Sequence, residues 1–483
     1  MADAILDRTE PVASHDSWLM GISMNPRLLI RKAIFVGVLF LFSGTHNVLT
    51  ILSPGGAPPP DPNSAAAEEA VGESQQDAGA IPGPLKTLIW CAIGGLMAAS
   101  QIGKVFKLAA EAPALTGLSL LAVASVLWSD NPAESSSHGL SLVLSTFLAY
   151  FFVAEYEPPE QMEIVVIIGW IAVIGSTLVA LFLPRFGIDQ VYNTGEWRGI
   201  YAQKNACAAA MLLFLAPVFA RKLDLRHLGS ALFGLSVLFV LGMTQSRNGW
   251  VVAFALIATM IALRWLARFR VEDRRALFLV AACLVAAGAW VMTTASAELL
   301  PLLGRDATFT GRKGIWDAAV AAIIDSPVLG YGFHAFWTGP NARSKVMYGV
   351  AVVQHAHNGM LELALGLGGL GVALFLWSFF KALRDIGICL RPDRPAYVDW
   401  YVATILAVVY FSVAEPFLVL DKSLSWVLYV VSCVGLHRQA EALRRESRRL
   451  DEFSDAADNP RDQWHRNEWP PDYVADSGAI GEP

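Results

Sequence analysis

The fold of this chain is limited above all by a series of apolar runs that recur along most of its length. Each run has about 17–22 residues, the length that crosses the core of a bilayer as an α-helix. Of the 483 residues, 55% are hydrophobic and only 16% are charged, whereas soluble domains carry about 25% charged residues. Transmembrane β-strands are much shorter. The sequence therefore predicts an all-α polytopic membrane protein.

The positions of these runs predict about 12 transmembrane helices. The polar N-terminal segment, residues 1–32, lacks a cleavable signal-peptide pattern, so the first run is expected to remain as a helix. The five cysteines form no CxxC pair, and we infer neither a disulfide nor a metal site from them. The membrane domain, residues 33–437, has predicted spans at residues 33–52, 84–101, 113–129, 139–155, 163–184, 205–220, 229–244, 248–266, 276–294, 358–380, 399–416 and 423–437.

Lysine and arginine in the short loops predict the orientation, because basic loops stay on the cytoplasmic side. This rule is satisfied when the N- and C-termini are both cytoplasmic. Residues 295–357, between helices 9 and 10, then form a large outer loop. The C-terminal part, residues 438–483, is predicted to begin as a basic helix at the inner lipid surface, through Leu450. An acidic, disordered tail is expected to follow from Asp451.

Compact polar motifs occur on the predicted outer side, with arginine beside glycine and aromatic residues. Because guanidinium groups grip phosphate oxygens in bidentate fashion, such motifs suit anion binding. The alternative is that each arginine snorkels to headgroups or pairs with Glu196 or Asp306. We favour a functional role for Arg198 and Arg247 together. The motifs are Gly195-Glu196-Trp197-Arg198-Gly199-Ile200-Tyr201-Ala202-Gln203-Lys204-Asn205, Gln245-Ser246-Arg247-Asn248-Gly249-Trp250, Gly304-Arg305-Asp306 and Thr310-Gly311-Arg312-Lys313-Gly314-Ile315-Trp316.

His357 lies where the tenth span begins, beside Asn358, which is a good helix N-cap. A histidine at the outer edge can act as a general base near neutral pH, and a structural role is the alternative. Metal binding by His355 and His357 is not expected, because Glu362 would lie on another face of the helix. Upstream, residues 314–324 predict an amphipathic helix near the membrane surface, and residues 330–333 predict a plain turn or part of a lid.

The motifs resemble those of the O-antigen ligase and polymerase superfamily (Wzy/WaaL type). His357-Asn358, nine residues and Gly368-Gly369-Leu370-Gly371 match its signature of His, a polar residue, nine residues and Gly-x-x-Gly. The Trp-Arg-Gly, Ser-Arg-Asn-Gly, Thr-Gly-Arg and Ser-Pro-x-x-Gly-x-Gly segments follow in the same order. The resemblance covers roughly residues 30–437, and the Gln-Lys-Asn part looks most like the ExoQ-like exopolysaccharide polymerases.

The resemblance implies a GT-C-like membrane glycosyltransferase of the bacterial inner membrane, with a periplasmic active site. Its substrate would be an oligosaccharide on undecaprenyl pyrophosphate, and the chain has no nucleotide-binding motif that would hold a sugar nucleotide. His357 is the expected base for an inverting transfer without metal or cofactor. Arg198 and Arg247 are expected at the pyrophosphate, with Lys204, Arg305 and Arg312 as weaker candidates. The expected supporting residues are Trp197, Gln203, Asn205, Asn248 and Asn358.

The acceptor stays open between two reactions of the same class. A polymerase adds another lipid-linked repeat unit, whereas a ligase transfers the glycan to lipid A-core or protein. We favour the polymerase, for which a flippase and a chain-length regulator would be partners. A secondary transporter is a remote alternative, because transporters place ionisable residues near the midplane and often show repeats.

Overall fold

The computed structural model describes residues 26–42, 100–189, 195–220, 228–269, 312–338 and 355–458. Within these ranges the regular structure is helical, and the only β-type pairing is an isolated bridge between Ile188 and Trp197. The helices are α1 (Pro26–Phe42), α2 (Ile102–Glu111), α3 (Pro113–Ala124), α4 (Pro132–Glu155), α5 (Pro158–Phe182), α6 (Pro184–Gly187), α7 (Lys204–Ala220), α8 (Leu228–Met243), α9 (Arg247–Leu266), α10 (Arg312–Asp325), α11 (Gly359–Cys389), α12 (Ala396–Phe411) and α13 (Leu424–Asp458).

The membrane character of the helices agrees with the sequence prediction. Four helices, α4, α5, α9 and α11, are long and apolar enough to cross a membrane, and the bent pair α2–α3 would make five. The helices α7, α8 and α12 are apolar but shorter. The predicted spans at 84–101 and 276–294 lie outside the described residues, apart from the last two residues of the first. About half of the predicted outer loop, residues 295–311 and 339–354, also lies outside them. The count of twelve therefore stays a prediction.

Two helical features differ from the prediction. Helix α2 covers the segment between the predicted spans 84–101 and 113–129, where we expected a loop, and it buries Val105, Leu108 and Ala109 on one face. A bend of 100° separates it from α3, which begins at Pro113, where proline has no N–H to continue the helical hydrogen bonds. At the other end of the chain, α13 contains the predicted basic helix and continues to Asp458, into the tail predicted to be disordered.

The centre of the bundle is formed by α7, α12 and α13. Helix α7 is rich in alanine, and most of its residues are buried. Small side chains let helices approach closely in a bilayer, where van der Waals contact drives their association. Trp400 and Trp426 are fully buried on the neighbouring helices α12 and α13. At Gly435 a Cβ atom would collide with the ring of Tyr401, so glycine is required for this close contact.

Helix α11 is broken at Gly368, whose φ of 61° and ψ of −162° are not helical. The break frees backbone groups, and the segment 326–338 supplies partners for them. The amide of Gly369 donates to Pro327 O (2.8 Å), and Tyr331 N donates to Leu365 O (2.8 Å). Further bonds of this kind join Leu370 to Val328 and Gly332 to Gly366. The segment therefore packs alongside α11 at the level of the break, more than two turns after the helix begins.

Glycines on both sides make this insertion possible. Gly330 has φ +67°, and a Cβ there would collide with the backbone of α11. Gly332 has φ +99°, and a Cβ there would collide with Ser129. Tyr331, Phe333 and Phe336 are buried, so the turn predicted at 330–333 is a docked part of the bundle.

Candidate functional site

The polypeptide around His357 is fixed by the first turn of α11. Asn358 Oδ1 accepts hydrogen bonds from the amides of Met360 (3.0 Å) and Leu361 (3.1 Å), as its N-cap role requires. Its Nδ2 donates to Val413 O (2.9 Å), which ties the cap to the loop after α12. His357 itself has φ +51°, a conformation that is uncommon outside glycine and that places it at a sharp change in chain direction.

Glu415 joins His357 to two other motifs. Its Oε2 lies 3.5 Å from His357 Nδ1, and its Oε1 accepts a hydrogen bond from Asn205 Nδ2 (2.8 Å). Asn205 Oδ1 in turn accepts from Ser246 Oγ (2.9 Å). The Gln-Lys-Asn motif, the Ser-Arg-Asn-Gly turn and the His357 segment are thus connected at one end of the bundle. We call Ser246, Asn205, Glu415 and His357 the Glu415 chain.

The Glu415 chain is buried at Glu415 and accessible at His357, and this arrangement suits acid–base chemistry at His357. Glu415 is only 2% exposed, whereas the His357 side chain is 32% exposed. A buried carboxylate beside an imidazole selects the tautomer with the proton on the facing nitrogen and stabilises the protonated ring. With the proton on Nδ1 toward Glu415, Nε2 is the unprotonated nitrogen. Such an arrangement allows His357 to accept a proton while keeping its orientation.

Arg198 is held by the end of the short helix α6. Its Nε donates to Phe186 O (2.7 Å), and one terminal nitrogen donates to Arg185 O (3.2 Å). Burial lowers the pKa of the Arg198 guanidinium, although Asp189 acts in the opposite direction. These bonds fix the direction of the guanidinium and occupy part of its donor set. Its contact with a pyrophosphate stays a prediction.

Arg247 differs from Arg198 in being exposed at the first turn of α9. Ser246 caps this helix by accepting a hydrogen bond from Gly249 N (3.2 Å). No hydrogen bond or ion pair joins the Arg247 guanidinium to another residue in the described ranges. Because Ser246 belongs to the Glu415 chain, an exposed cation is adjacent in sequence to that chain.

The remaining predicted residues have different surroundings. Lys204 forms an ion pair with Glu196, the acidic residue that we considered as a partner for the arginines. Trp197 is buried with its ring against Phe239, and Gln203 is exposed. Asn248 Nδ2 donates a hydrogen bond to Phe411 O (3.4 Å). Arg305 lies outside the described residues, and only the backbone of Arg312 is described, as the first residue of α10.

Sequence reasoning missed Glu415 because it ends the apolar run predicted as the span 399–416. An acidic residue in such a run is costly unless it has a role, and this is the signal that would have found it. Glu362 was considered only as a metal ligand. Its carboxylate accepts hydrogen bonds from Trp337 Nε1 (3.0 Å) and from the amide of Ala356, so it supports the backbone next to His357.

Within the described residues, the group that could hold a metal ion does not include His355 or His357. The rings of His355 and His357 are 4.1 Å apart at 75°. In the part of the chain that the structure describes, the residues grouped closely enough to hold an ion are His138, His334 and Asp421.

Known proteins match this chain over part of its length. A family model described as O-antigen ligase matches residues 231–376, which include Arg247 and His357. The exopolysaccharide production protein ExoQ of Rhizobium meliloti is 25% identical over 294 residues, covering 57% of this chain and 65% of that protein.

Two further relatives carry the name "Putative polysaccharide ligase". The protein from Rickettsia prowazekii is 39% identical over 82 residues, covering 16% of this chain and 20% of the relative. The protein from Rickettsia typhi is 33% identical over 103 residues, covering 19% of this chain and 25% of the relative. The matches span less than two thirds of the length of each relative. Together with the ordered motifs, the matches show that this chain is similar to proteins of the O-antigen ligase and polymerase superfamily, ExoQ among them.

Proposed function

We propose that the protein is a membrane glycosyltransferase that polymerises oligosaccharide repeat units carried on undecaprenyl pyrophosphate. The observation that carries this proposal is the Glu415 chain, which ends at a half-exposed His357. The similarity to an exopolysaccharide production protein and to proteins named polysaccharide ligases supports the same reaction class. The reaction occurs at the periplasmic face of the inner membrane, with both chain ends in the cytoplasm.

In the proposed transfer, His357 accepts the proton of an acceptor hydroxyl. The hydroxyl oxygen forms a bond to the anomeric carbon as the bond from that carbon to the pyrophosphate oxygen breaks. The electron pair of the broken bond leaves with undecaprenyl pyrophosphate, and direct displacement inverts the anomeric centre. Glu415 stabilises the imidazolium that forms, and Asn205 holds Glu415 by the 2.8 Å hydrogen bond.

The leaving pyrophosphate gains negative charge as the bond breaks, so cations beside it lower the barrier. Arg247 is suited to this role because it is exposed and unpaired within the described ranges. Arg198 contributes the N–H groups that its bonds to Phe186 O and Arg185 O leave available. Lys204, Arg305 and Arg312 are secondary candidates. Charge neutralisation by arginine requires no metal at this position.

A ligase that uses the same site is the second candidate, and the names of the two Rickettsia relatives favour it. We prefer the polymerase because the match to ExoQ extends over 294 residues, against 82 and 103 for the other two. A polymerase would work with a flippase that delivers lipid-linked units and with a chain-length regulator.

The test uses the purified full chain in lipid nanodiscs with a lipid-pyrophosphate oligosaccharide. We expect glycans of increasing length, and we expect His357→Ala to abolish their formation. His355→Ala, which removes the neighbouring histidine, is the matched control and should retain most of the turnover. Full turnover by His357→Ala would overturn the assigned mechanism.

Acceptor competition separates the two candidate reactions. Addition of lipid A-core should leave the products of a polymerase unchanged, whereas a ligase would transfer the glycan to it. A topology reporter at residue 340 tests the geometry independently, and a cytoplasmic signal there would contradict the periplasmic assignment.

A further inference from the structure

A second polar cluster joins three elements that are remote in sequence. His138 belongs to α4, His334 to the docked segment 326–338, and Asp421 to the loop between α12 and α13. His138 Nδ1 lies 2.8 Å from Asp421 Oδ1, and His334 Nε2 lies 3.6 Å from the same oxygen. One ligand-type atom from each residue lies within 4.8 Å of the other two.

Asp421 carries an unused acceptor in this cluster. Its side chain is 3% exposed, and its Oδ2 accepts no hydrogen bond from any described residue. This oxygen forms an ion pair with Lys422 Nζ, at 3.8 Å. A buried carboxylate oxygen without a hydrogen bond is costly, and a bound ion is one of the arrangements that satisfy such an atom in native structures.

The second nitrogen of His138 faces another carboxylate. His138 Nε2 lies 3.1 Å from Glu134 Oε2, one helical turn earlier on α4. A metal-binding histidine usually donates its other N–H to a carboxylate, which fixes its tautomer and makes it a stronger ligand. His138 Nδ1 donates to Asp421 Oδ1 (2.8 Å), and a bound ion would take the place of that proton.

Hydrogen bonds fix the backbone on which His334 and Asp421 lie. His334 has φ +58°, and its neighbour Phe333 is fixed by Ser125 Oγ, which accepts from its amide (3.0 Å). Ser135 Oγ donates to Phe333 O (2.8 Å), and Ser145 Oγ accepts from the amide next to Asp421 (3.2 Å). These bonds fix the backbone next to His334 and Asp421, and the rings of His138 and His334 stack with their centres 4.2 Å apart and an angle of 12° between their planes.

We propose that His138, His334 and Asp421 form a binding site for a divalent transition-metal ion of the zinc type. Imidazole and carboxylate groups are zinc ligands, and a tetrahedral site with bonds of about 2.0–2.1 Å separates its ligand atoms by about 3.3 Å. The separations of His138 Nδ1 and His334 Nε2 from Asp421 Oδ1, 2.8 and 3.6 Å, lie on either side of that value. Three protein ligands leave one position for water or a hydroxyl group. The transfer proposed at His357 does not require this ion.

Metal binding is tested on the full chain in detergent after removal of metals with a chelator. Titration with Zn²⁺ followed by calorimetry should show one ion per chain, and Co²⁺ should give the visible d–d bands of a tetrahedral complex. We expect the affinity to fall at least tenfold in His334→Asn and Asp421→Asn. Asparagine is chosen at position 334 because it tolerates a positive φ.

His437 and Asp385 provide the matched control, because they form a similar pair (2.8 Å) without a second histidine. His437→Gln should bind Zn²⁺ as the unmodified protein does. Zn²⁺ should also raise the unfolding temperature of the unmodified protein and of His437→Gln, but not of His334→Asn. Absence of Co²⁺ bands, or equal Zn²⁺ affinity in His334→Asn and the unmodified protein, would overturn the proposal and leave an ion-pair network with Lys422.

Discussion

Asn205 donates a hydrogen bond of 2.8 Å to Glu415, which lies 210 positions further along the chain. The other carboxylate oxygen of Glu415 faces His357 and lies 3.5 Å from its Nδ1. Helix α7 begins one residue before Asn205, and the loop that contains Glu415 follows α12. Since α7 and α12 pack closely at the centre of the bundle, the position of the carboxylate is set by the helix core.

Replacement of Glu415 by glutamine tests its role as the partner of His357. Glutamine keeps the shape and the hydrogen bond to Asn205 but removes the charge that stabilises the imidazolium. We expect kcat for glycan transfer to fall by about 10²–10⁴-fold, with a much smaller change in KM. The control is Glu441→Gln on α13, where an exposed carboxylate pairs with Arg444. Similar kcat values for the two variants would exclude the proposed role of Glu415.

Arg247→Ala should slow transfer by about 10²–10³-fold, because a donor that stabilises the leaving pyrophosphate is lost. Arg247→Lys should recover part of the rate, since lysine keeps the charge but not the bidentate geometry. Turnover of the lipid-linked substrate is the measurement, and Arg448→Ala, at an exposed position near the end of α13, is the control. A normal rate in Arg247→Ala would remove this residue from the site.

Hydrophobicity predicted most of the described helices to within a few residues. A helix that crosses the bilayer needs one continuous apolar run of a set length, and such a run can be recognised from neighbouring residues alone. The helices α5, α7 and α8 begin or end close to the predicted limits. Helix α2 was missed because Lys104 and Lys107 resemble loop residues, whereas its buried face has helical periodicity. The break in α11 was also missed, since its partners lie in the segment 326–338, and no local pattern at Gly368 reveals that pairing.

The site was predicted in part for a related reason. His357, Asn205 and the Ser-Arg-Asn-Gly turn belong to recognisable motifs, and the structure brings them together. Glu415 and the cluster of His138, His334 and Asp421 depend on contacts between distant elements. Sequence spacing carries no information on such contacts. An acidic residue at the end of an apolar run, such as Glu415, nevertheless indicates a functional position.

The cap of α11 gives a prediction on stability. Asn358→Ala removes the acceptor for the amides of Met360 and Leu361 and should cost about 0.5–2 kcal/mol. Asn358→Ser keeps a capping oxygen, so its unfolding free energy should be closer to that of the unmodified protein. Denaturant unfolding in detergent provides the measurement. Equal stabilities of the two variants would show that the bond from Asn358 Nδ2 to Val413 O contributes more than the cap.

The break in α11 gives the last prediction. Gly368→Ala places a Cβ against the backbone of Val328 and forces alanine to adopt φ +61°. We expect a loss of at least about 1–3 kcal/mol in unfolding free energy, the usual cost of such a conformation. Gly387→Ala in the same helix meets no atom within 4 Å and should be neutral or stabilising by up to about 1 kcal/mol. If Gly368→Ala is as stable as Gly387→Ala, then α11 tolerates a continuous helix, and the docked segment is not needed to satisfy its backbone.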